Sequence, residues 1–154
     1  MRWSSLWLVG VLVGGCGGDG TGPSATHESI AGSYTGTMAG LSQGIALNAT
    51  FSLTINQDGG SVSGSWALQG TLTDGFDIVA VQGTGVLNGT VASGKNPSVN
   101  ITVRSGQCPN RQTAFSGAYD SVNHRLTLTG TVEFLDFTSC TVVLSYPMTV
   151  ILNR

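Results

Sequence analysis

The clearest pattern of hydrophobic and polar residues in the chain runs from Phe51 to Trp66. Apolar residues or glycine at every second position alternate with Ser, Thr and Asn, and the alternation is interrupted once, by Asp58-Gly59-Gly60. A period of two is typical of a strand with one buried face, and glycines after an aspartate supply the positive-φ positions of a tight turn. The stretch therefore predicts a β-hairpin.

The same alternation recurs through most of the chain after residue 30. It predicts a first strand at Ile30–Met38, the central hairpin continuing to Leu68, and five further strands around Leu87, Ile101, Phe115, Leu128 and Val142–Leu152. Eight antiparallel strands with one apolar face each predict an all-β, up-and-down barrel, with a two-sheet β-sandwich as the alternative. Glycines on the apolar face favour the barrel because they let strands coil sharply; they are Gly32, Gly36, Gly64, Gly85, Gly89, Gly117 and Gly130.

Three details of the barrel follow from weaker signals. The alternation fades between Gly70 and Gln82, which predicts a long loop, with a loop that contains an extra short strand as the alternative. Pro147 interrupts the last strand and cannot donate a backbone hydrogen bond, so we expect a bulge there or an incompletely closed seam between the last strand and the first. We also expect short connections after strands two, four and six and long ones after strands one, three, five and seven, which would place a long-loop mouth opposite the chain termini.

Composition bounds the remaining possibilities. A chain of 154 residues allows one ordinary domain, and a hydrophobic fraction of 40% arranged with a period of two argues against disorder. Charged residues make up only 9% of the chain and the net charge is -2, so no basic patch for nucleic acid is predicted.

The N-terminal residues are typical of an export signal. The apolar run Leu6–Val13 is far shorter than the roughly 20 residues that a spanning helix needs. It ends in Val13-Gly14-Gly15-Cys16, which resembles the lipobox of bacterial lipoproteins, with Val in place of the commoner Leu. The resemblance implies that Cys16 becomes the mature N-terminus and carries acyl chains that anchor it to a membrane. An ordinary secretory signal with an unrelated cysteine is the alternative.

These boundaries divide the chain into a lipoprotein signal peptide at residues 1–15, a flexible tether at 16–29 and a β-barrel domain at 30–154. Gly17 is not the Asp that retains lipoproteins at the inner membrane in enterobacterial-type sorting. The resemblance thus implies an exported protein anchored in the outer membrane, where the host has one.

The first strand contains a second resemblance. Gly32-Ser33-Tyr34 is similar to the Gly-x-Trp of lipocalins and the Gly-Thr-Trp of avidins, with Tyr in place of Trp. In those families this motif opens the first strand of a small barrel, so the resemblance implies the same architecture.

Few residues point to chemistry. Cys108 and Cys140 fall in connections at one end of the predicted barrel, which in an exported protein predicts a disulfide. His124 lies in a predicted turn, and the loop carboxylates Asp74, Asp77 and Asp136, with Glu133 nearby, show no acid–base spacing. We therefore predict no catalytic residue, no metal site and no cofactor.

The predicted interior lacks charge, because Arg104 and Glu133 both fall on outward positions. Its polar groups are the hydroxyls and the indole of four candidate ligand-lining residues, Tyr34, Trp66, Tyr119 and Tyr146. Two functions remain open. One is a non-enzymatic, membrane-anchored envelope protein that fills its barrel with its own side chains and contacts another envelope protein. The other is a lipocalin-like carrier of a small apolar ligand.

Overall fold

A computed structural model describes residues 26–136 and 138–154 of the chain. Each strand pairs antiparallel with the next in the sequence, and β8 returns to β1 to close a barrel. The predicted all-β up-and-down barrel is confirmed, and the sandwich is excluded. The strands are β1 (Gly32–Ser42), β2 (Ile45–Asp58), β3 (Ser61–Thr73), β4 (Ile78–Val91), β5 (Ser98–Ser105), β6 (Gln112–Asp120), β7 (Arg125–Asp136) and β8 (Thr141–Asn153).

A search of these same residues for a helix long and apolar enough to cross a membrane finds none.

The two ends of the barrel carry different parts of the chain. The end that we call the tether end holds the first described residues, the turns after β2, β4 and β6, and the C-terminus. Here Gly94 donates its backbone N–H to the carbonyl of Thr26 at 3.1 Å, and Asn96 donates to the Glu28 carboxylate at 3.0 Å. The last residues of the predicted tether therefore lie against the barrel. The opposite end, with the turns after β1, β3, β5 and β7, is the mouth end.

Inward-facing apolar side chains form one continuous core. Leu53, Ile55, Leu126 and Leu152 are almost completely buried. Among the described residues no polar or charged side chain is buried, other than the tyrosines with their hydroxyls. The alternation of the sequence thus corresponds to one dry face and one wet face of the sheet.

Inward-facing glycines let neighbouring strands approach more closely than a side chain would allow. A Cβ added at Gly64 would overlap the backbone carbonyl of Thr54 on β2, and one at Gly117 would overlap that of Thr127 on β7. The same overlap with a backbone carbonyl would occur at Gly36, Gly85 and Gly89. These glycines therefore permit tight coiling of the sheet, and the space they save is filled by backbone.

The predicted long loop between Gly70 and Gln82 is wrong. β3 continues to Thr73 and β4 begins at Ile78, so only residues 74–77 connect them. The alternation fades because the tip of this hairpin is exposed on both faces, with Ile78 at 75% and Val79 at 57% exposure. Where no face is buried, nothing enforces a period of two.

The predicted contrast in loop length between the two ends is also wrong. The connection after β1 is the two-residue turn Gln43–Gly44, with φ angles of 52° and 81°, whereas the connection after β4 covers residues 92–97. Two positive φ angles are typical of a type I′ turn, which Asn-Gly or Asp-Gly usually signals and Gln-Gly does not.

Pro147 causes no bulge. It lies in regular register opposite Thr131 of β7, and the irregularity of β8 lies closer to its start, at Val143. On its other side, β8 has a single ladder pair with β1, between Asn153 and Thr35. An incompletely closed seam, the predicted alternative to a bulge, is therefore also wrong: the barrel is closed, although the ladder between β8 and β1 is short.

Side chains and close backbone contact close this seam. Gly36 of β1 lies directly against the carbonyl of Ile151, and Gly40 lies against the ring of Tyr146. The Tyr146 hydroxyl also donates a hydrogen bond to the carbonyl of Ile45 at 3.2 Å. The seam is thus held mainly by packing rather than by a ladder of hydrogen bonds.

Unequal strand lengths make the wall of the barrel uneven at the mouth end. β3 and β4 have 13 and 14 residues, whereas β5 and β6 have 8 and 9. The β4–β5 ladder stops at Gly85–Ser105 and the β6–β7 ladder stops at Phe115–Gly130. The β3–β4 and β7–β8 hairpins therefore rise above a notch, which is bridged by the β5–β6 connection (residues 106–111), here called the strap.

Replacing Gly64 with Ala should lower the free energy of unfolding by about 1–3 kcal/mol, because the new methyl group would push β2 and β3 apart. Gly106→Ala is the matched control, since a Cβ there meets only the carbonyl oxygen of Thr84, at 3.7 Å. Urea titrations followed by circular dichroism measure both variants. Equal stability of the two variants would contradict the close strand approach at Gly64.

Candidate functional site

A cavity of about 390 Å³ occupies the mouth half of the barrel. Its wall is mainly apolar and combines inward residues of β2 to β8 with the rising parts of the two tall hairpins. Prominent among the apolar lining residues are Phe51, Leu68, Leu72, Val103, Phe115 and Phe134. Volume and lining both fall in the range of pockets that bind small molecules.

An aromatic layer separates this cavity from the packed tether half. The ring of Phe51 lies 6.1 Å from that of Phe115 and 6.2 Å from that of Trp66, centroid to centroid. Phe51 and Phe115 are both almost completely buried. These rings form the floor of the cavity.

Trp66 is held against the wall by β4 and β5. Its indole Nε1–H donates to the carbonyl of Arg104 at 2.9 Å. A Cβ at Gly83 would lie 3.1 Å from the indole ring, so glycine at this position leaves room for the ring to lie across β4. Half-buried Trp66 therefore presents an apolar surface to the cavity while its one polar atom is satisfied by the backbone.

The disulfide predicted between Cys108 and Cys140 is confirmed, with Cα atoms 5.8 Å apart. It joins the strap to the turn after β7, on the mouth side of the notch. Arg111, the last residue of the strap, donates its backbone N–H to the Cys108 carbonyl at 2.9 Å and its Nε–H to the Cys140 carbonyl at 3.0 Å. The bridge and these hydrogen bonds hold the strap beside the cavity.

A few polar side chains complete the lining. Gln82, Ser105 and Thr113 contribute neutral groups, and Arg111 and Glu133 contribute opposite charges. The arrangement offers an apolar interior with polar and charged groups near the notch.

Of the four residues predicted to line a ligand site, Trp66 lines this cavity and the three tyrosines do not. Tyr34 and Tyr119 pack edge to face at 6.4 Å, and the Tyr34 hydroxyl donates to the carbonyl of Ile30 at 2.8 Å in the tether half. Tyr146 packs edge to face on Phe134, at 5.8 Å, and bonds across the seam. Burial, reinforced by Tyr119, raises the pKa of Tyr34 well above its usual range, and burial also raises the pKa of Tyr146.

His124 lies in the turn after β6, as predicted. Its Nδ1 is 3.0 Å from the hydroxyl of Tyr119, and its carbonyl accepts a hydrogen bond from the backbone of Arg154 at 3.2 Å. These contacts close the tether end, so His124 lies far from the cavity.

The loop carboxylates stabilise turns. Asp74 accepts hydrogen bonds from the backbone N–H groups of Asp77 and Phe76, both at 2.9 Å, and these bonds hold the pKa of its carboxyl below the usual value. Asp136 accepts one from Thr138 at 2.7 Å, with the same effect on its pKa. Within residues 26–136 and 138–154, no cluster of three or more His, Cys, Asp or Glu side chains could hold a metal ion.

Cys16 and the predicted signal peptide lie outside the described residues. Comparisons of the chain with known protein families, with curated proteins and with solved structures find no match.

Replacing both Cys108 and Cys140 with Ser should lower the free energy of unfolding by about 3–4 kcal/mol in the chain-entropy account, because the bridge closes a loop with a sequence separation of 32. Peptide mapping of the exported protein without reductant should recover the linked pair, and urea titration measures the loss in the variant. Two free thiols in the exported wild-type protein would contradict the bridge.

Proposed function

We propose that this protein is an exported lipoprotein whose barrel binds a small apolar molecule in the mouth cavity. The observation that carries the proposal is the cavity of about 390 Å³ with its mainly apolar wall. Binding is favourable because the free energy falls when an apolar molecule leaves water and fills a cavity of this volume and lining.

The distribution of packing supports a binding role over a barrel filled with its own side chains. The tether half is filled by residues such as Tyr34, Leu53 and Leu126, which are at most 1% exposed. The mouth half is not filled, because β5 and β6 end before the neighbouring hairpins do. The empty space follows from strand length, and the glycines of the interior do not create it.

The chemistry of the lining supports a non-enzymatic role. Asp74 and Asp136 are engaged by backbone N–H groups in turns, and the described lining contains Glu133 but no histidine and no second carboxylate. A general acid or base must be positioned within hydrogen-bond reach of the proton that it transfers, which engaged turn carboxylates are not. Binding without chemical conversion is the simpler use of this wall.

An acyl anchor on Cys16 would set the orientation of the cavity relative to the membrane. Thr26, the first described residue, lies at the tether end, so acyl chains on Cys16 would leave the mouth facing away from the anchored end.

A second function, contact with another envelope protein, is favoured by one specific observation. Phe76 and Ile78 at the tip of the β3–β4 hairpin are 96% and 75% exposed. Exposed apolar groups at a hairpin tip are typical of contact surfaces. This function does not need an open cavity, so a ligand-binding experiment separates the two.

Ligand binding should be saturable with the neutral apolar fluorophore N-phenyl-1-naphthylamine, whose emission rises in a dry site. Leu72→Trp should weaken this binding at least about tenfold, because the larger side chain enters the cavity from β3. Gln69→Trp is the matched control, since Gln69 lies on the outward face of the same strand.

Fluorescence titration of the two variants and the wild type measures the dissociation constants. A wild-type protein without saturable binding would leave the contact function as the better account, and equal binding by Leu72→Trp would place the fluorophore elsewhere.

Replacing Cys16 with Ala should abolish acylation and block leader cleavage, because the thiol of Cys16 is the acceptor of the acyl chains under the lipobox hypothesis. Metabolic labelling with a radioactive fatty acid and membrane fractionation measure both effects. Unchanged labelling and unchanged membrane association in the variant would overturn the lipoprotein assignment.

A further inference from the structure

Among the described residues that line the cavity, Arg111 is the one with a positive charge, and hydrogen bonds fix it at two points. Its backbone N–H bonds to the carbonyl of Cys108 and its Nε–H bonds to the carbonyl of Cys140, the two residues that the disulfide joins. The guanidinium group is therefore held by the crosslinked part of the mouth.

Fixing the Nε–H leaves the four Nη–H donors of the guanidinium group. Among the described residues, no acceptor forms a hydrogen bond with these four donors, and no carboxylate lies within 4 Å of Arg111. The ion pair found among the described residues joins Arg125 and Asp120, at the tether end. A planar, always charged group with free paired donors matches the geometry of a carboxylate or phosphate. Because the side chain is already held in place, little rotamer entropy would be lost when an anion binds.

The surrounding wall determines what kind of anion fits. The cavity beside Arg111 is lined by apolar side chains from β3 to β8, and a fully hydrated ion would lose its water there without compensation. A molecule with a long apolar body and a single acidic end would bury the body on Trp66 and Phe115 and keep the head at the notch. The neutral side chains of Ser105 and Thr113 lie in the same wall and can donate to such a head.

We infer that the cavity selects amphiphilic anions, with the apolar body in the barrel and the acidic head on Arg111. The inference rests on the proposed ligand-binding function and names the ligand class of that site. Glu133 opposes it in part, because its carboxylate also belongs to the lining and repels an anion. Arg111 is the group that determines specificity, and the Cys108–Cys140 bridge positions it.

The test uses four probes with the same ten-carbon chain and different heads: decanoate, decyl phosphate, decanol and decylammonium. Displacement of N-phenyl-1-naphthylamine from the full chain gives the affinity of each. Wild-type protein should bind decanoate or decyl phosphate about three- to tenfold more tightly than decanol, as expected for a partly solvated charge pair, and decylammonium more weakly than decanol. Whichever of decanoate and decyl phosphate binds more tightly identifies the preferred acidic head as a carboxylate or a phosphate.

Two variants and one chemical treatment separate the roles. Arg111→Gln should bring the ratio of anion affinity to decanol affinity to about one, because the charge that distinguishes the heads is removed. Glu133→Gln should raise the ratio of anion affinity to decanol affinity about twofold or more, because a like charge is removed. Reduction of the disulfide should diminish the anion preference more than decanol binding, because it releases the strap that holds Arg111.

The outcomes distinguish this inference from the proposed function. Equal binding of decanol and both anions by the wild type, or an unchanged anion preference in Arg111→Gln, overturns the role of Arg111 while the apolar binding site stands. If no probe binds, the proposed function itself fails. Circular dichroism of Arg111→Gln, an exposed position, shows whether the variant is folded.

Discussion

The close approach of backbone to backbone at the inward glycines is the contact on which the barrel depends. At Gly64, Gly89 and Gly117 a carbonyl of the neighbouring strand takes the place that a Cβ would occupy. Eight strands can coil this tightly only where side chains are missing at the crossing points, because a barrel of this size requires strong strand tilt and twist. The tight coil brings Tyr34 and Leu126 into one dry core and fills the tether half of the barrel.

The same wall cannot fill the mouth half, because its strands end at different heights. β5 ends at Ser105, while β3, β4, β7 and β8 continue towards the mouth, so apolar positions such as Leu72 and Phe134 line an empty space. The disulfide between Cys108 and Cys140 ties the strap across this notch, which keeps the low wall from opening further. The cavity is thus the combined result of short central strands and a crosslink that fixes their connection. Such a cavity is suited to hold an apolar molecule away from water, which is the function that we propose.

The period-two pattern was sufficient to predict the barrel, since each strand has one buried face and burial enforces the alternation. It failed at the β3–β4 hairpin, where Ile78 and Val79 are exposed and no buried face imposes a period. For the same reason the cavity could not be predicted: it depends on how far each hairpin extends towards the mouth, and the extent of the β3–β4 hairpin was not predicted. The disulfide could be predicted because an exported protein was expected and both cysteines fall at one end of the barrel. The position of Arg111 could not, since it depends on hydrogen bonds to two carbonyls that no residue pattern reveals. Three tyrosines were expected at a ligand site for their inward parity, but parity does not specify the height of a residue within the barrel.

The most direct test of this account is native mass spectrometry of the protein, extracted gently with its own membrane lipids and without added ligand. The account predicts a species heavier than the acylated chain by the mass of one small amphiphilic molecule. That species should be lost when the cavity is blocked at Leu72 and retained when Gln69 is changed in the same way. Recovery of the acylated chain alone, in repeated extractions that preserve non-covalent complexes of a control binding protein, would contradict the claim that the mouth cavity is a ligand site.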